Sequence, residues 1–318
     1  MPEILLVKTS SLGDLVHNLP VVCDIVSNVP GARIDWVVEE SLATVPQLHP
    51  LVREVIPAAI RRWRGGIWQR NVWRDMRAFR QRLRAREYDA VIDSQGLVKS
   101  ALVAWCARGC RYGLDYASAR EPLAPFYDRT FSVPWSLHAV ERNRSLAAQA
   151  LGYDLAPQAD YGIRAAALQH DVAYSPRYAV LLHATSAVRK LWREDLWARL
   201  GARLRDDGID VLLPWGSALE RSRSERLAGS IDGARVPPSL TLAQAAGLLA
   251  GAHVVIGVDT GLTHLAAALG VPVVGIYCAT DPDATGIYAA RRAINVGGIG
   301  QPPGIDAVMR AIQRVVAK

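Results

Sequence analysis

Short apolar runs alternate with helical patterns along almost the whole chain, and this alternation restricts the fold more than any other feature of the sequence. The runs are "ILLV" from Ile4, "IDWVV" from Ile34, "AVIDSQG" from Ala90, "YAVLLHA" from Tyr178, "DVLLPWG" from Asp210, "HVVIGVD" from His253 and "VPVVGIY" from Val271. Strands buried on both faces of a parallel sheet read as continuous apolar runs, and helices cover those faces. The sequence therefore predicts an α/β fold with parallel sheets.

The length of the chain and one irregular stretch predict two domains. At 318 residues the chain is longer than one hydrophobic core usually supports. Residues 155–176 contain two prolines and show no regular period, which is typical of a linker. We therefore expect one domain over residues 1–160 and another over 161–318, with the last helix available to pack back on the first domain. Open parallel sheets bind ligands beyond the carboxyl ends of their strands, so two such domains predict a cleft between them.

The composition, with 50% hydrophobic and 21% charged residues, is that of a globular protein. The N-terminal "MPEILLVK" lacks the basic stretch and cleavage site of an export signal. The longest nearly apolar run contains Gly and Pro and is too short to span a bilayer. The four cysteines do not have the spacing of metal ligands. We expect reduced thiols and a cytoplasmic location.

Positive charge is concentrated in one segment. Ten arginines and one aspartate lie between Arg61 and Arg86, whereas the whole chain has a formal net charge of +7, so the remainder is slightly acidic. An apolar stripe at helical spacing runs through the segment, formed by Val72, Met76, Phe79 and Leu83. A helix with this stripe leaves exposed arginines that form either an ordinary solvated face or an anion-binding surface.

Three arginines of this segment differ from the others because a Gly-Gly pair follows them. Arg61, Arg62 and Arg64 surround Trp63 in "RRWRGG", which predicts a loop. A planar guanidinium in such a loop can bind a phosphate or a carboxylate through two parallel hydrogen bonds.

A single acid follows the first apolar run. After "ILLV" the sequence continues "KTSSLGDLVHNLP", and helical periodicity begins beside Asp14. A carboxylate beyond the carboxyl end of a strand can act as a general base. A carboxylate in this place can equally cap its own helix. The residues alone leave both roles open.

Polar groups also follow two later strands. The loop after "YAVLLHA" contains Thr185, Ser186 and Lys190, and the loop after "HVVIGV" contains Asp259, Thr260, Gly261 and His264. The free N–H groups of a first helical turn bind phosphate oxygens, and a Lys ammonium neutralises phosphate charge. Asp259 is also compatible with a plain N-cap. The chain contains neither the Walker nor the dinucleotide-binding fingerprint.

Several strings spread over the chain resemble the lipopolysaccharide heptosyltransferase I family of the ADP-heptose:lipopolysaccharide heptosyltransferases. They are "VKTSSLGD", "AIRRWR", "DSQGLVKSA", "AREPLA", "HAVERN", "LLHATS" and "VDTGLTHLAAALG". The resemblance implies a GT-B fold, in which two Rossmann-like domains face each other across a cleft. It also implies inverting transfer of L-glycero-D-manno-heptose from ADP-heptose to the first Kdo of Kdo-lipid A. One departure is Ser186, where the family more often has threonine.

The resemblance assigns roles to residues of this chain. Asp14 resembles the family's catalytic base. The implied donor-binding residues are Gly13, Thr185, Ser186, Lys190, Glu220, Leu240, Asp259, Thr260, Gly261 and His264, with Glu220 on the ribose and Leu240 on the adenine. The implied acceptor-binding residues are Ser10, Ser11, Arg61, Arg62, Arg64, Lys99, Arg120 and Arg142. The implied partners are ADP-heptose, Kdo-lipid A and the anionic cytoplasmic face of the inner membrane, and no nucleic acid.

Two further alternatives concern metal and function. Asp281-Pro282-Asp283 has a spacing that other glycosyltransferases use for a divalent metal, but proline between two acids favours a turn. We expect no metal or other cofactor to be required. Tryptophans interleaved with arginines also fit a nucleic-acid-binding protein. A different GT-B sugar-nucleotide transferase or an epimerase remains the alternative enzyme.

Overall fold

The computed structural model describes residues 1–165, 168, 177–288 and 290–317. The chain divides into two compact units, Met1–Gly162 and Ile163–Lys318. Part of the irregular stretch 155–176, where the sequence predicts the boundary, lies outside the described residues.

The first unit is a six-stranded parallel sheet with helices on its faces. Its elements are β1 (Glu3–Val7), α1 (Leu12–Val16), α2 (Leu19–Asn28), β2 (Arg33–Glu39), α3 (Thr44–Gln47), β3 (Val52–Ala58), α4 (Ile60–Gly65), α5 (Arg70–Arg84), β4 (Tyr88–Asp93), α6 (Val98–Cys106), β5 (Gly109–Leu114), β6 (Arg129–Phe131) and α7 (Ala139–Leu151). The strand order is β3-β2-β1-β4-β5-β6, the order of a doubly wound nucleotide-binding fold.

The second unit is a five-stranded parallel sheet. Its elements are β7 (Tyr178–Leu182), α8 (Glu194–Asp206), β8 (Asp210–Leu212), α9 (Ala218–Gly229), α10 (Leu242–Ala250), β9 (Val254–Val258), α11 (Gly261–Ala268), β10 (Val273–Tyr277), α12 (Pro282–Thr285), β11 (Ala293–Gly297) and α13 (Ile305–Val316). The strand order is β11-β10-β9-β7-β8.

The prediction of parallel α/β sheets is confirmed, and each apolar run of the sequence forms a strand. These strands are β1, β2, β4, β7, β8, β9 and β10. The strands that the sequence pattern misses are β3, β5, β6 and β11, and all four have half-buried or exposed positions. A strand with partly exposed positions lacks a continuous apolar run, so the sequence pattern that predicts it is weaker.

The helical stripes pack as their spacing predicts. In α5, Val72 and Leu83 are buried, and Phe79 packs against the core of the first unit. In α13, Val308, Ile312 and Val315 enter the core of the second unit, where this helix contacts α8, β10 and β11. Burial of such side chains contributes about 1.5–3 kcal/mol each, which stabilises both helices far beyond their intrinsic propensity.

In each unit the strand order reverses at one point, and loops meet there. In the first unit β1 lies beside β2 on one side and β4 on the other. In the second unit β7 lies between β8 and β9. Loops that leave neighbouring strands to opposite faces of the sheet open a crevice at this point, so the loops after β1, β4, β7 and β9 are the expected ligand sites.

A buried ion pair joins α7 to α2 in the first unit. The Arg144 side chain is 0% exposed, and its Nε donates to Asp24 Oδ2 at 2.7 Å. A second guanidinium nitrogen donates to Asp24 Oδ1 at 3.0 Å, and a third to Glu141 at 2.8 Å. Removing one partner of a buried pair leaves an uncompensated charge, which costs more than the pair itself contributes.

We expect Asp24→Asn to lower the free energy of unfolding by about 3 kcal/mol, because Arg144 remains buried with less than its full counter-charge. The matched control is Glu87→Gln, which breaks the exposed pair Arg108–Glu87 of the same unit and should cost less than about 1 kcal/mol. Urea denaturation of the three proteins checks this. Equal losses in the two variants would contradict it.

Candidate functional site

Asp14 is the third residue of α1 and lies just beyond the carboxyl end of β1. Its Oδ2 accepts hydrogen bonds from the backbone N of Ser11 at 2.7 Å and from Ser11 Oγ at 2.8 Å. One carboxylate oxygen therefore holds the first turn of the helix, as the capping alternative predicts. No hydrogen bond to the other oxygen is found in the part of the chain that the structure describes. The two roles considered for Asp14 are thus compatible.

The turn that carries Asp14 is held by the loop that follows the neighbouring strand β4. Gln95 Oε1 accepts hydrogen bonds from the backbone N–H groups of Thr9 and Ser10, each at 3.0 Å. Asp93 in turn accepts from the backbone N of Gln95 at 2.9 Å and from the Tyr127 hydroxyl at 2.8 Å. Burial raises the pKa of Asp93 despite these hydrogen bonds. Gln95 is not among the site residues predicted from the sequence, although "SQG" directly follows the apolar run of β4.

Lys8 is a second residue that the sequence analysis missed. This last residue before the turn is only 6% exposed, and its Nζ donates to Ser94 O at 2.6 Å and to Asn143 Oδ1 at 3.2 Å. Burial lowers the pKa of Lys8, and the nearby carboxylates of Asp14 and Asp93 oppose this shift. A lysine directly after four apolar strand residues is the signal that could have identified it.

Lys8 and Asp14 line one pocket together with two predicted acceptor-binding residues, Arg120 and Arg142. Arg142 donates to Ser118 O at 2.7 Å, and its guanidinium lies 3.6 Å from the centre of the Trp135 ring. Burial and the charge of Arg120 lower the pKa of Arg142. The pocket therefore combines a carboxylate with three basic side chains, which suits an anionic ligand with a reactive hydroxyl.

Two predicted acceptor-binding residues, Ser10 and Ser11, lie on the turn that carries Asp14, and a third, Lys99, contacts this turn. Lys99, on α6, donates a short hydrogen bond from Nζ to Ser10 Oγ. Burial lowers the pKa of Lys99, while Glu39 and Asp14 raise it. Ser11 is exposed and bonded to Asp14. Gly13, a predicted donor-binding residue, is the second residue of α1 in this first unit.

The prediction that Arg61, Arg62 and Arg64 lie in a loop is wrong. They lie on the short helix α4, which Gly66 ends, and Trp63 of the same helix packs on Phe79 with ring centres 5.2 Å apart. The apolar contact of Trp63 gives the segment a buried side, and this favours a helical turn over a loop.

The three arginines of α4 are all exposed but differ in their partners. Arg62 donates to Glu40 at 3.2 Å and to Asp75 at 2.7 Å, so its guanidinium is already engaged. The guanidinium groups of Arg61 and Arg64 form no ion pair within residues 1–165. These two are therefore the members of the cluster that are free to bind an anion.

In the second unit, Asp259 is the centre of a polar cluster at the end of β9. Its Oδ2 accepts from Lys190 Nζ and from Thr280 Oγ1, both at 2.7 Å, and its Oδ1 lies 3.3 Å from His264 Nε2. Burial raises the pKa of Asp259, but the hydrogen bonds from His264, Lys190 and Thr280 outweigh it and hold this pKa well below its usual range. Thr280 had no signal in the sequence beyond following β10.

Asp259 is not the N-cap of α11, so that alternative is wrong. Thr260 occupies the N-cap position, and its side chain makes no capping hydrogen bond. The helix begins at Gly261, and the backbone N of Thr263 donates to Thr260 O at 3.0 Å. The N–H groups of Gly261 and Leu262 are therefore the first-turn donors that have no partner within the helix. Thr185 Oγ1 donates to Asp259 O at 3.2 Å, and Ser186 beside it is exposed. The residues predicted to bind a diphosphate therefore surround one helix N-terminus.

Glu220 and Leu240 lie on other elements of this unit. Glu220 is in the first turn of α9, after β8, and its Oε2 accepts from the backbone N of Gly216 at 2.7 Å. Leu240 is half-buried in the segment that precedes α10. Both residues lie in the stretch of chain between β8 and β9. An acid that follows a Rossmann strand, as Glu220 follows β8, can accept hydrogen bonds from ribose hydroxyls.

The acidic residues Asp281 and Asp283 lie at the N-terminus of the short helix α12. Asp281 is the N-cap of α12, and its Oδ1 accepts from the backbone N of Asp283 at 3.0 Å. Among the described residues, no group of three or more His, Cys, Asp or Glu side chains is arranged to hold a metal ion. Within the same residues, no helix is long and apolar enough to cross a membrane.

Comparison with known proteins agrees with this geometry. Residues 76–309 match the family "Glycosyltransferase family 9 (heptosyltransferase)". The lipopolysaccharide heptosyltransferase 1 of Pseudomonas aeruginosa is 49% identical over 298 residues, which cover 93% of this chain and 83% of that protein.

Solved structures show the same fold. The structure of E. coli heptosyltransferase WaaC with ADP has a TM-score of 0.90 and 43% identity, and the match covers 98% of this chain and 99% of that chain. The complex of WaaC with ADP-2-deoxy-2-fluoro heptose has a TM-score of 0.86 and 42% identity, with the same coverage. The two parallel-sheet units thus have the architecture of a GT-B-like transferase. The resemblance of the sequence motifs is confirmed, and the chain belongs to glycosyltransferase family 9, the heptosyltransferases.

Proposed function

We propose that this heptosyltransferase transfers L-glycero-D-manno-heptose from ADP-heptose to the first Kdo of Kdo-lipid A, with inversion at the anomeric carbon, in the assembly of the lipopolysaccharide inner core. The names of its relatives support the lipopolysaccharide pathway. The WaaC complexes with ADP and with an ADP-heptose analogue support the donor.

The observation that carries this proposal is the pocket in which Asp14 lies among Lys8, Arg120 and Arg142. A Kdo acceptor presents carboxylates beside the hydroxyl that is to be glycosylated. The basic side chains match the carboxylates, and the carboxylate of Asp14 matches the hydroxyl. Neither a neutral acceptor nor a plain hydrolysis reaction needs this combination.

The proposed reaction is a single displacement. The acceptor oxygen forms a bond to the anomeric carbon while the bond from that carbon to the diphosphate oxygen breaks, and ADP leaves with the electron pair. Asp14 takes the proton from the acceptor hydroxyl through the carboxylate oxygen that is not bonded to Ser11. The base and the leaving group lie on opposite faces of the sugar in such a step, so the configuration inverts.

The donor is proposed to bind the second unit at the start of α11. The first-turn N–H groups beside Gly261 and the hydroxyls of Thr185 and Ser186 would bind diphosphate oxygens. Lys190 would supply positive charge to the leaving diphosphate, and Asp259 holds that ammonium in place. Glu220 would bind the ribose, and Leu240 would pack on the adenine. Because these groups neutralise the diphosphate, we propose that no metal is required.

On the acceptor side, Arg61 and Arg64 are proposed to bind anionic groups of the glycolipid that lie beyond the reacting Kdo, together with Lys99. The lipid part of such an acceptor stays in the bilayer. We therefore place the enzyme peripherally on the anionic cytoplasmic face of the inner membrane, with no nucleic acid as a partner. An alternative within the same fold is another sugar-nucleotide enzyme, such as an epimerase.

The reaction itself is tested by incubating the chain with ADP-heptose and Kdo-lipid A in the presence of EDTA. We expect an acceptor that is heavier by one heptose in the mass spectrum, and release of ADP. An epimerase would change the donor without any acceptor. Transfer that stops with EDTA and returns with a divalent metal would contradict the proposal of a metal-free site.

The role of Asp14 is tested by two substitutions. Asp14→Ala removes the base and should lower kcat by about 10² or more, because general-base catalysis contributes roughly 10²–10⁴. Asp14→Asn keeps an oxygen that can accept from Ser11 but cannot take a proton, so we expect the same loss with a normal melting temperature. ADP-heptose affinity should stay unchanged in both. If Asp14→Asn retains nearly normal kcat, the residue is only a helix cap.

The role of Lys190 is tested by ADP binding in calorimetry. Lys190→Ala should weaken ADP by roughly 10- to 100-fold, since a charge-assisted hydrogen bond contributes about 1.5–3 kcal/mol. Arg189→Ala is the matched control, because this exposed neighbour on the same turn makes no contact with Asp259. Unchanged ADP affinity in Lys190→Ala would rule out its contact with the diphosphate.

A further inference from the structure

The turn between α4 and α5 exposes apolar side chains in the most basic part of the chain. Trp68 is 95% exposed and Ile67 beside it is 46% exposed. Tryptophan is rarely left so open to water, because burial of its ring removes a large apolar surface. Neither residue belongs to the site described above.

This turn is held in shape by local contacts. The backbone N of Gln69 donates to Gly66 O at 2.9 Å, and the indole Nε1 of Trp73 donates to Ile67 O at 2.8 Å. Below the turn, Val72 is buried in the core of the first unit. The apolar tip is thus fixed on a folded base. Since the polar atom of Trp73 is already bonded, its ring can enter an apolar phase without losing a hydrogen bond.

The exposed face of α5 continues this surface with positive charge. Arg70, Arg74 and Arg77 lie with Trp73 at spacings of three and four residues, so the four side chains share one face and line one shallow groove. No carboxylate in the described part of the first unit pairs with these three arginines. The opposite side of the helix carries the buried Val72 and Leu83.

We propose that Ile67, Trp68 and Trp73 insert into the headgroup region of an anionic lipid bilayer while Arg70, Arg74 and Arg77 bind its phosphates. The choice of a membrane as the partner of this surface rests on the proposed function, since a lipid-linked acceptor requires the enzyme to work at a membrane. An amphipathic helix with tryptophan beside arginines has the composition of elements that lie in this interface. Each arginine near the surface adds to the attraction.

A single-stranded nucleic acid is the other partner that arginines and tryptophans fit. Its binding sites place aromatic faces in succession along a basic groove so that bases can stack. Here the most exposed ring lies at the tip of a turn, next to the aliphatic Ile67. An aliphatic side chain at a protruding tip cannot stack on a base, but it can enter a bilayer. The geometry therefore favours the lipid surface.

The test is sedimentation of the full chain with vesicles of equal parts phosphatidylglycerol and phosphatidylcholine. Trp68→Ser should weaken vesicle binding at least tenfold, and bromine-labelled acyl chains should quench less tryptophan fluorescence in this variant. The triple variant Arg70→Gln, Arg74→Gln, Arg77→Gln should bind weakly and lose most of the salt dependence. Ile299→Ser is the control, because Ile299 is an exposed apolar residue of the second unit, 67% open to water. This variant should bind vesicles as tightly as the wild type.

Heptose transfer to a short-chain, detergent-free acceptor separates this surface from the acceptor site. Trp68→Ser should keep a normal KM for that acceptor, whereas Arg61→Gln with Arg64→Gln should raise it. If the wild-type chain binds vesicles but transfers no heptose, the proposed function is disproved and the membrane-binding surface is still supported. Unchanged vesicle binding by Trp68→Ser, or tighter binding of a single-stranded oligonucleotide than of vesicles at equal salt, would overturn the inference.

Discussion

The pairing of parallel strands at the two points where strand order reverses is the constraint on which the functional groups depend. In the first unit Val7 of β1 lies beside Asp93 of β4, and in the second unit Leu182 of β7 lies beside Gly257 of β9. The two loops that follow each pair of strands start at the same end of the sheet, the carboxyl end of its strands. Parallel registry therefore brings together residues that are more than 70 positions apart in the chain.

Burial then determines the electrostatics of these loops. Lys8, Asp93 and Asp259 are titratable groups at or just beyond strand ends with little exposure to water. Each is held by several hydrogen bonds, because a buried charge without partners is costly. These bonds fix the position of the loops before any substrate arrives, and preorganised polar groups of this kind are what a transferase needs to stabilise developing charge.

The arginine-rich segment divides into groups that composition alone cannot rank. Arg62, Arg82 and Arg86 form ion pairs with acids of the first unit, so their charge is largely neutralised by the fold. The guanidinium groups of Arg61 and Arg64 on α4 are exposed and form no ion pair within residues 1–165. The arginines on the outer face of α5 are open as well but lie beside exposed tryptophans. One basic segment thus contains one set of arginines that form ion pairs within the fold, one set that we propose to bind the acceptor and one set that we propose to bind the membrane.

The sequence by itself determined the α/β class, the buried strands and the identity of the family, because buried parallel strands and strand-end motifs are local patterns. It also identified Asp14, Lys190 and Asp259 as site residues to examine. It could not determine the helical state of Arg61–Arg64, the less buried strands β3, β5, β6 and β11, or the contacts of Lys8, Gln95 and Thr280. Those depend on which distant groups meet. A carboxylate such as Asp259 is an N-cap or the partner of a lysine 69 residues away according to tertiary contacts alone.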